Sequence, residues 1–150
     1  MTAEENERLV RRDPDEIWSD GRVELIDELY HEDFVLHDPS SPESDAGRDE
    51  YREYVETYRR AFPDAEYTVD DIVSDGDTVM LRYTAEGTQD GELLGIKPTG
   101  KHVTVSGMEE YRVEDGKITE MWTNYDSFGL FRQLGVVPSL AELARERTAD

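Results

Sequence analysis

Cysteine is absent from the 150 residues of this chain, and its only lysines are Lys97, Lys101 and Lys117. Without cysteine there is no disulfide, no thiolate nucleophile and no cysteine metal site. The 16 basic residues face 37 acidic ones, so the formal net charge is −21. A chain this acidic repels polyphosphates and anionic lipid surfaces, which excludes nucleic acid and membranes as expected partners.

Long hydrophobic runs are also missing. No stretch approaches the roughly 18 apolar residues of a membrane helix, and the first residues lack the basic and apolar regions of a signal peptide. We therefore expect a cytoplasmic protein. The three histidines are far apart and form no paired ligand spacing, so we expect no metal site.

The carboxylates are spread along the whole chain, of which 36% remains hydrophobic. This pattern favours a folded protein over a disordered one. A dense carboxylate surface with little lysine is typical of a protein that works in concentrated salt, where the Debye length falls to about 3 Å at 1 M. We therefore predict a halophilic protein with an acidic surface that loses stability in low salt.

Hydrophobic periodicity predicts helices first and strands afterwards. Helical spacing covers residues 1–20, 23–30 and 48–62, and Asp13-Pro14 is expected to cap a second helix or mark a kink near residue 13. A short strand at 34–37 precedes a polar loop at 40–47. Alternation then predicts strands at 66–73, 78–87, from 102 onward and 118–125, followed by a helix at 128–134 and another after Ser139. This order predicts one α+β domain over residues 1–150.

The stretch 106–135 organises the chain. Asp115-Gly116 between two alternating apolar segments is a strong hairpin signal. The second strand ends at Asp126, next to aromatic residues and before a short amphipathic helix. We therefore expect a small-molecule pocket near the end of this strand.

Several segments together resemble one known family. They are Trp18, residues 34–39 (FVLHDP), 61–64 (AFPD), 95–101 (GIKPTGK), 111–118 (YRVEDGKI) and 133–135 (QLG). They resemble the SnoaL-like polyketide or ester cyclases, of a halophilic archaeal type, over about residues 7–138. The resemblance implies the nuclear transport factor 2-like fold, a cone-like barrel made of a curved, mostly antiparallel sheet packed on three N-terminal helices. It also implies a homodimer formed through the outer sheet face and a cofactor-free ring closure.

The resemblance also assigns positions to the reaction. In polyketide cyclases of this family an aspartate on the last long strand removes a proton beside a carbonyl, and here that position is Thr123. The histidine that assists it corresponds to Glu109, and Gln89 stands where many relatives have a histidine. Asp126 matches a common acidic position. Glu109 and Asp126 are therefore the candidate catalytic residues, although Asp126 is also placed to cap the following helix.

The residues expected to bind substrate lie on the predicted strands and on the third helix. They are His37, Tyr54, Tyr58, Arg82, Met121, Thr123 and Tyr125. For two of them another role stays open: His37 could be structural and Arg82 could face solvent. Trp122 has the opposite strand parity to Thr123 and is a candidate for the outer face and a dimer contact.

Two kinds of function remain open at this point. The first is cofactor-independent cyclase or isomerase chemistry on a small carbonyl or ring compound, with epoxide hydrolysis as a variant. The second is a non-catalytic binding module, because threonine occupies the aspartate position. The fold alone does not decide between them.

Overall fold

The structure is a computed structural model that describes residues 1–41 and 46–148. Its helices are α1 (Ala3–Arg12), a π-helix (Asp13–Ser19), a 3-10 turn (Val23–Leu25), α2 (Ile26–Leu29), α3 (Arg48–Ala61), α4 (Ser127–Gln133) and α5 (Leu140–Thr148). Its strands are β1 (Tyr30–His37), β2 (Glu66–Asp75), β3 (Thr78–Thr88), β4 (His102–Glu114) and β5 (Lys117–Tyr125). The centre of the predicted polar loop, residues 42–45, lies outside the described residues.

The N-terminal helix continues past Asp13 instead of restarting there. α1 begins with a capping box between Thr2 and Glu5 and runs directly into the π-helix. Asp13 therefore caps no helix, and that part of the prediction was wrong, whereas the irregularity predicted near residue 13 is present as the change from α-helix to π-helix. The Asp13 side chain is buried, with 1% exposure, because it is bound by tyrosine hydroxyls from other elements.

The second predicted helix is shorter than the periodicity suggested. Only the 3-10 turn and the four residues of α2 are helical, and Tyr30 already belongs to β1. Tyr30, Phe34 and Leu36 are the buried positions of that strand. β1 therefore extends four residues further toward the N-terminus than predicted.

The five strands form one sheet in the order β1-β5-β4-β3-β2. β1 pairs with β5 in parallel, and every other neighbouring pair is antiparallel. The predicted β4–β5 hairpin is confirmed: Asp115 and Gly116 both have positive φ, as a two-residue type I′ turn requires. The sheet is curved and stays open, with β1 and β2 at its edges, and the helices pack on one side of it.

Alternation along β4 separates the two faces of this sheet. The odd-numbered residues 103–113 are buried under the helices, while the even-numbered ones face outward. The predicted α+β fold is thus confirmed, and its concave face forms the wall of a cavity. No helix in the described ranges is long and apolar enough to cross a bilayer.

Candidate functional site

A cavity lies between the concave sheet face and the helices. It holds about 730 Å³ of empty space, counted with its opening to solvent. Most of its wall is aromatic or aliphatic: the larger side chains are Trp18, Leu36, Tyr51, Tyr54, Tyr58, Phe62, Tyr67, Tyr83, Met121, Tyr125 and Leu130. Gly107 makes room for one of them, since a Cβ at that position would lie 2.5 Å from the ring of Tyr83. Such a wall suits a flat, largely apolar ligand.

The mouth of the cavity is closed in part by two tyrosines. The hydroxyls of Tyr58 on α3 and Tyr125 at the end of β5 lie 2.7 Å apart and form a hydrogen bond. Both side chains also line an outer depression of about 1270 Å³, which reaches Asp38 and Phe131. A ligand that enters from the depression therefore meets this hydroxyl pair first.

Glu109 is the buried carboxyl in the cavity wall. It lies on β4 between Leu81 of β3 and Thr123 of β5, which are its direct partners in the sheet, and it is 8% exposed. Its carboxyl contacts the hydroxyl of Tyr111, two residues along the same face. Burial, followed by the charge of Asp13, raises the pKa of Glu109 to about 8. Glu109 is therefore mostly protonated at neutral pH.

Asp13 is a second buried carboxyl, which the Tyr111 hydroxyl connects to Glu109. Three hydroxyls donate to its carboxyl: Tyr30 at 2.6 Å, Tyr51 at 2.7 Å and Tyr111 at 3.0 Å. Burial raises the pKa of Asp13 to about 6, although the three hydrogen bonds act in the opposite direction. The sequence analysis missed this residue as part of the site, because Asp-Pro at a helix break is a common capping signal. The tyrosines that bind it are distant in sequence.

Five of the predicted binding residues line the cavity. They are Tyr54, Tyr58, Met121, Thr123 and Tyr125. Their positions follow from the β5 alternation, which turns Met121 and Thr123 inward, and from the face of α3 that packs over the sheet.

Two predicted binding residues lie away from the cavity. The Arg82 side chain is 52% exposed on the outer face of β3 and approaches Asp70 at 3.5 Å. His37 also points outward, because its ring stacks on Trp122 and its Nε2 lies 2.6 Å from Glu120 Oε2. The structure therefore corrects both expectations and supports the alternatives, a solvent-facing Arg82 and a structural His37.

Asp126 lies outside the cavity as well. It is exposed at the start of α4, where its carboxylate accepts a hydrogen bond of 2.8 Å from the backbone N–H of Gly129. A Cβ on residue 129 would come within 2.1 Å of that carboxylate, so glycine permits the close approach. The geometry is that of a helix cap, not of a base aimed at a ligand.

Gln89 holds a loop together. Its buried side-chain oxygen accepts from Thr99 Oγ1 at 2.7 Å, and its amide nitrogen donates to the carbonyls of Gly91, Ile96 and Lys97. These contacts fix residues 89–99 as a compact unit. Among the described residues, no group of three His, Asp or Glu side chains converges as a metal site would require.

Comparison with known proteins agrees with this architecture. The family profile described as SnoaL-like polyketide cyclase matches residues 8–134. The chain belongs to this family. IdmH from Streptomyces antibioticus, described as a candidate polyketide cyclase, is 32% identical over 87% of this chain and 99% of its own, with a TM-score of 0.77. No protein with curated annotation matches.

Two further solved structures are also similar to this chain. AclR from Streptomyces galilaeus, described as a candidate hydroxylase, is 27% identical over 99% of this chain and 92% of its own, with a TM-score of 0.84. A candidate SnoaL-like polyketide cyclase from Jannaschia sp. CCS1 is 25% identical over 91% of this chain and 95% of its own, with a TM-score of 0.81. The described activities differ, so the shared fold does not settle the reaction.

Thr123 is the position that the family resemblance is expected to assign to an aspartate. In the structure it is 3% exposed and lies directly opposite Glu109 in the β4–β5 ladder. Both side chains line the same cavity, so Glu109 is the carboxyl next to this position.

Proposed function

We propose that this protein binds a small, uncharged ring compound with a carbonyl group and catalyses cofactor-independent proton transfer on it. Glu109 is the residue that gives or takes the proton. The observation that carries the proposal is the burial of this carboxyl in the wall of an aromatic cavity, directly opposite Thr123. Ring closure or isomerisation through an enol or enolate is the corresponding reaction class.

The lining favours an uncharged ligand. Aromatic faces supply most of the contact area, and the hydroxyls of Tyr58 and Tyr125 supply a hydrogen-bond donor at the mouth. The other charged residues of the lining are engaged elsewhere, since Arg59 donates to backbone carbonyls, including that of Trp18, and Glu86 contacts His102. The one basic side chain of the described lining, Arg59, is thus held through Nη1 by backbone carbonyls, and the contact area left for a ligand is mainly aromatic.

The raised pKa of Glu109 suits proton transfer near neutral pH. A carboxyl with a pKa of about 8 is a stronger base, once ionised, than an ordinary glutamate, and it is also present as an acid at pH 7. Removal of an α-proton leaves an enolate, and a nearby hydroxyl then stabilises the negative oxygen. Tyr58 and Tyr125 are the hydroxyls that we assign to this role.

Hydrogen–deuterium exchange of a simple ketone tests the proposal without knowledge of the natural substrate. With β-tetralone in D₂O, the protein should accelerate loss of the α-proton signals in the NMR spectrum, and the rate should rise with pH toward about 8. Glu109→Gln should lower this rate by about 100-fold or more, because general acid–base catalysis contributes that much.

Glu110→Gln is the matched control, because Glu110 is the neighbouring residue on the outer face of the same strand. It should leave the exchange rate unchanged. If Glu109→Gln exchanges β-tetralone as fast as the unmodified protein, Glu109 is not the base. If the ketone binds, as measured by quenching of tryptophan fluorescence, but no exchange is accelerated, the non-catalytic binding module is the better description.

We also propose a homodimer in a cytoplasm rich in salt. Met80 and Met108 are exposed on the outer sheet face that also carries Trp122, and the family resemblance assigns this face to dimer contacts. Light scattering should give a dimer in about 2 M KCl and dissociation or unfolding in about 0.1 M KCl, where the charge of −21 is less screened. Trp122→Ala should weaken the dimer, and a monomer in both salts would contradict the proposal.

A further inference from the structure

Tyr111 connects the two buried carboxyls. Its hydroxyl lies 3.0 Å from Asp13 Oδ2 and also contacts Glu109 Oε2. A tyrosine hydroxyl has one hydrogen to donate and lone pairs that accept. Both contacts are hydrogen bonds only if one carboxyl is protonated and donates to Tyr111 while Tyr111 donates to the other. The geometry itself therefore calls for one shared proton.

The donors around each carboxyl indicate where that proton lies at rest. Asp13 accepts from Tyr30 and Tyr51 on one oxygen and from Tyr111 on the other, which favours its ionised form. Glu109 has Tyr111 as its partner, which leaves it the better proton holder. The resting order is thus a protonated Glu109, a Tyr111 hydroxyl that donates onward, and an ionised Asp13.

The surroundings supply no counterion to either carboxyl. The titratable groups that face the pair are tyrosines: Tyr30 from β1, Tyr51 from α3, Tyr67 from β2, Tyr83 from β3 and Tyr111 from β4. Burial raises the pKa of each, so they remain uncharged over the neutral range. Within the described parts of the chain, no basic side chain is bonded to Asp13 or Glu109. Two negative charges in this space would repel each other without compensation.

We propose that Asp13, Tyr111 and Glu109 act as one unit that holds a single proton, so that Asp13 is a positioning residue for proton transfer at Glu109. In the resting unit, Glu109 passes its proton to the Tyr111 oxygen while Tyr111 passes its own hydrogen to Asp13. Glu109 is then ionised and Asp13 is neutral, and the net charge of the unit is unchanged. Glu109 next accepts a proton from the ligand, which leaves both carboxyls neutral and an enolate in the cavity.

This inference deepens the proposed function and depends on it only for the role of Glu109 toward a ligand. Proton sharing is a property of the protein alone, so it is tested without substrate. Carbon-13 labelling of the side-chain carboxyls of glutamate and aspartate makes each titration visible by NMR. The Glu109 signal is the one that is missing in Glu109→Gln, and the Asp13 signal is the one that is missing in Asp13→Asn.

Asp13 and Tyr111 should shift the Glu109 titration in opposite directions when they are substituted. Asp13→Asn removes the neighbouring negative charge and frees the Tyr111 hydroxyl for Glu109, so the pKa of Glu109 should fall by about one pH unit or more. Tyr111→Phe removes the hydroxyl that donates to Glu109 once Glu109 is ionised, so the same pKa should rise. Asp15→Asn, on the exposed side of the same π-helix, should leave the titration unchanged.

The proposal is overturned if the pKa of Glu109 is the same in Asp13→Asn as in the unmodified protein. It is also overturned if the pKa of Glu109 falls in Tyr111→Phe. If Asp13→Asn does not fold, Tyr51→Phe keeps the carboxyl but removes one donor, and the pKa of Asp13 should then rise; an unchanged value overturns the proposal. If these shifts occur but β-tetralone exchange is absent, the proposed function fails and the shared proton stands. If β-tetralone exchange is accelerated but these pKa shifts do not occur, the proposed function stands and the shared proton is ruled out.

Discussion

Glu109 and Glu110 are neighbours on β4, yet they lie in opposite environments. Glu109 faces the cavity, is 8% exposed and contacts the hydroxyl of Tyr111. Glu110 faces outward, its side chain is 33% exposed and it lies 3.9 Å from a guanidinium nitrogen of Arg112. Successive residues of a strand point to opposite faces of the sheet, so one faces solvent and the next faces the protein interior. The raised pKa of Glu109 therefore results from its position on the inner face and not from its residue type.

The same contrast holds for the whole sheet. Acids on the outer face have basic neighbours, as in the pairs Arg82–Asp70, His37–Glu120 and Arg112–Glu110. The carboxyls on the inner side, Asp13 and Glu109, are instead surrounded by tyrosine hydroxyls and hydrocarbon. Tyrosine hydroxyls donate hydrogen bonds to these carboxylates but do not neutralise their charge. The repulsion between the two carboxylates is therefore reduced when one of them takes up a proton.

The largest effect that separates the two faces should be the pH dependence of stability. Native Glu109 holds its proton up to about pH 8, whereas an unfolded glutamate loses it near 4.5. Between these values the native state binds more protons than the unfolded state, so the free energy of unfolding falls as pH rises. The side chain introduced by Glu109→Gln cannot ionise, so the free energy of unfolding of this variant does not fall with pH for this reason. Its stability relative to the unmodified protein should therefore increase between about pH 5 and pH 9, by on the order of a few kcal/mol.

Urea unfolding at several pH values, in one fixed high salt concentration, measures this difference. Glu110→Gln is the control from the outer face and should differ from the unmodified protein by a nearly constant amount at every pH. If the free energy of unfolding depended on pH in the same way in both glutamine variants, the proposed difference between the two faces would be wrong. Because Asp13 is connected to Glu109 through Tyr111, a change in the titration of Asp13 is part of the difference measured for Glu109→Gln, whereas Glu110→Gln leaves it unaltered.

Strand alternation explains why Glu109, Met121 and Thr123 were predicted to face the cavity from sequence alone. Hairpin turns fix the register of β4 and β5, and parity then assigns every side chain to a face. Arg82 could not be assigned with the same certainty, because a single arginine between two apolar residues is compatible with either a buried anion site or a solvent contact. Its 52% exposure settles the matter in favour of solvent.

Asp13 could not be predicted, for a different reason. Its partners Tyr30, Tyr51 and Tyr111 are 17, 38 and 98 residues away in the chain, and no local pattern records such contacts. The local pattern, Asp-Pro after a helix, indicates a cap instead. The π-helix that turns Asp13 inward has no sequence signal comparable to a hairpin turn. Of the three residues in the unit, only Glu109 was therefore predicted as a site residue from the sequence.

The smallest effect should come from His37, at the outer face. His37→Gln removes the ring stacked on Trp122, with centroids 5.1 Å apart, and the contact with Glu120, in which both side chains are about one-third exposed. Partly exposed pairs of this kind contribute about 1 kcal/mol or less, since water and salt screen them. In urea unfolding, the free energy of unfolding of His37→Gln should thus be lower by that amount. The rate of β-tetralone exchange should equal that of the unmodified protein. A tenfold fall in exchange would mean that the outer face takes part in the chemistry, and the assignment of function to the inner face alone would then be wrong.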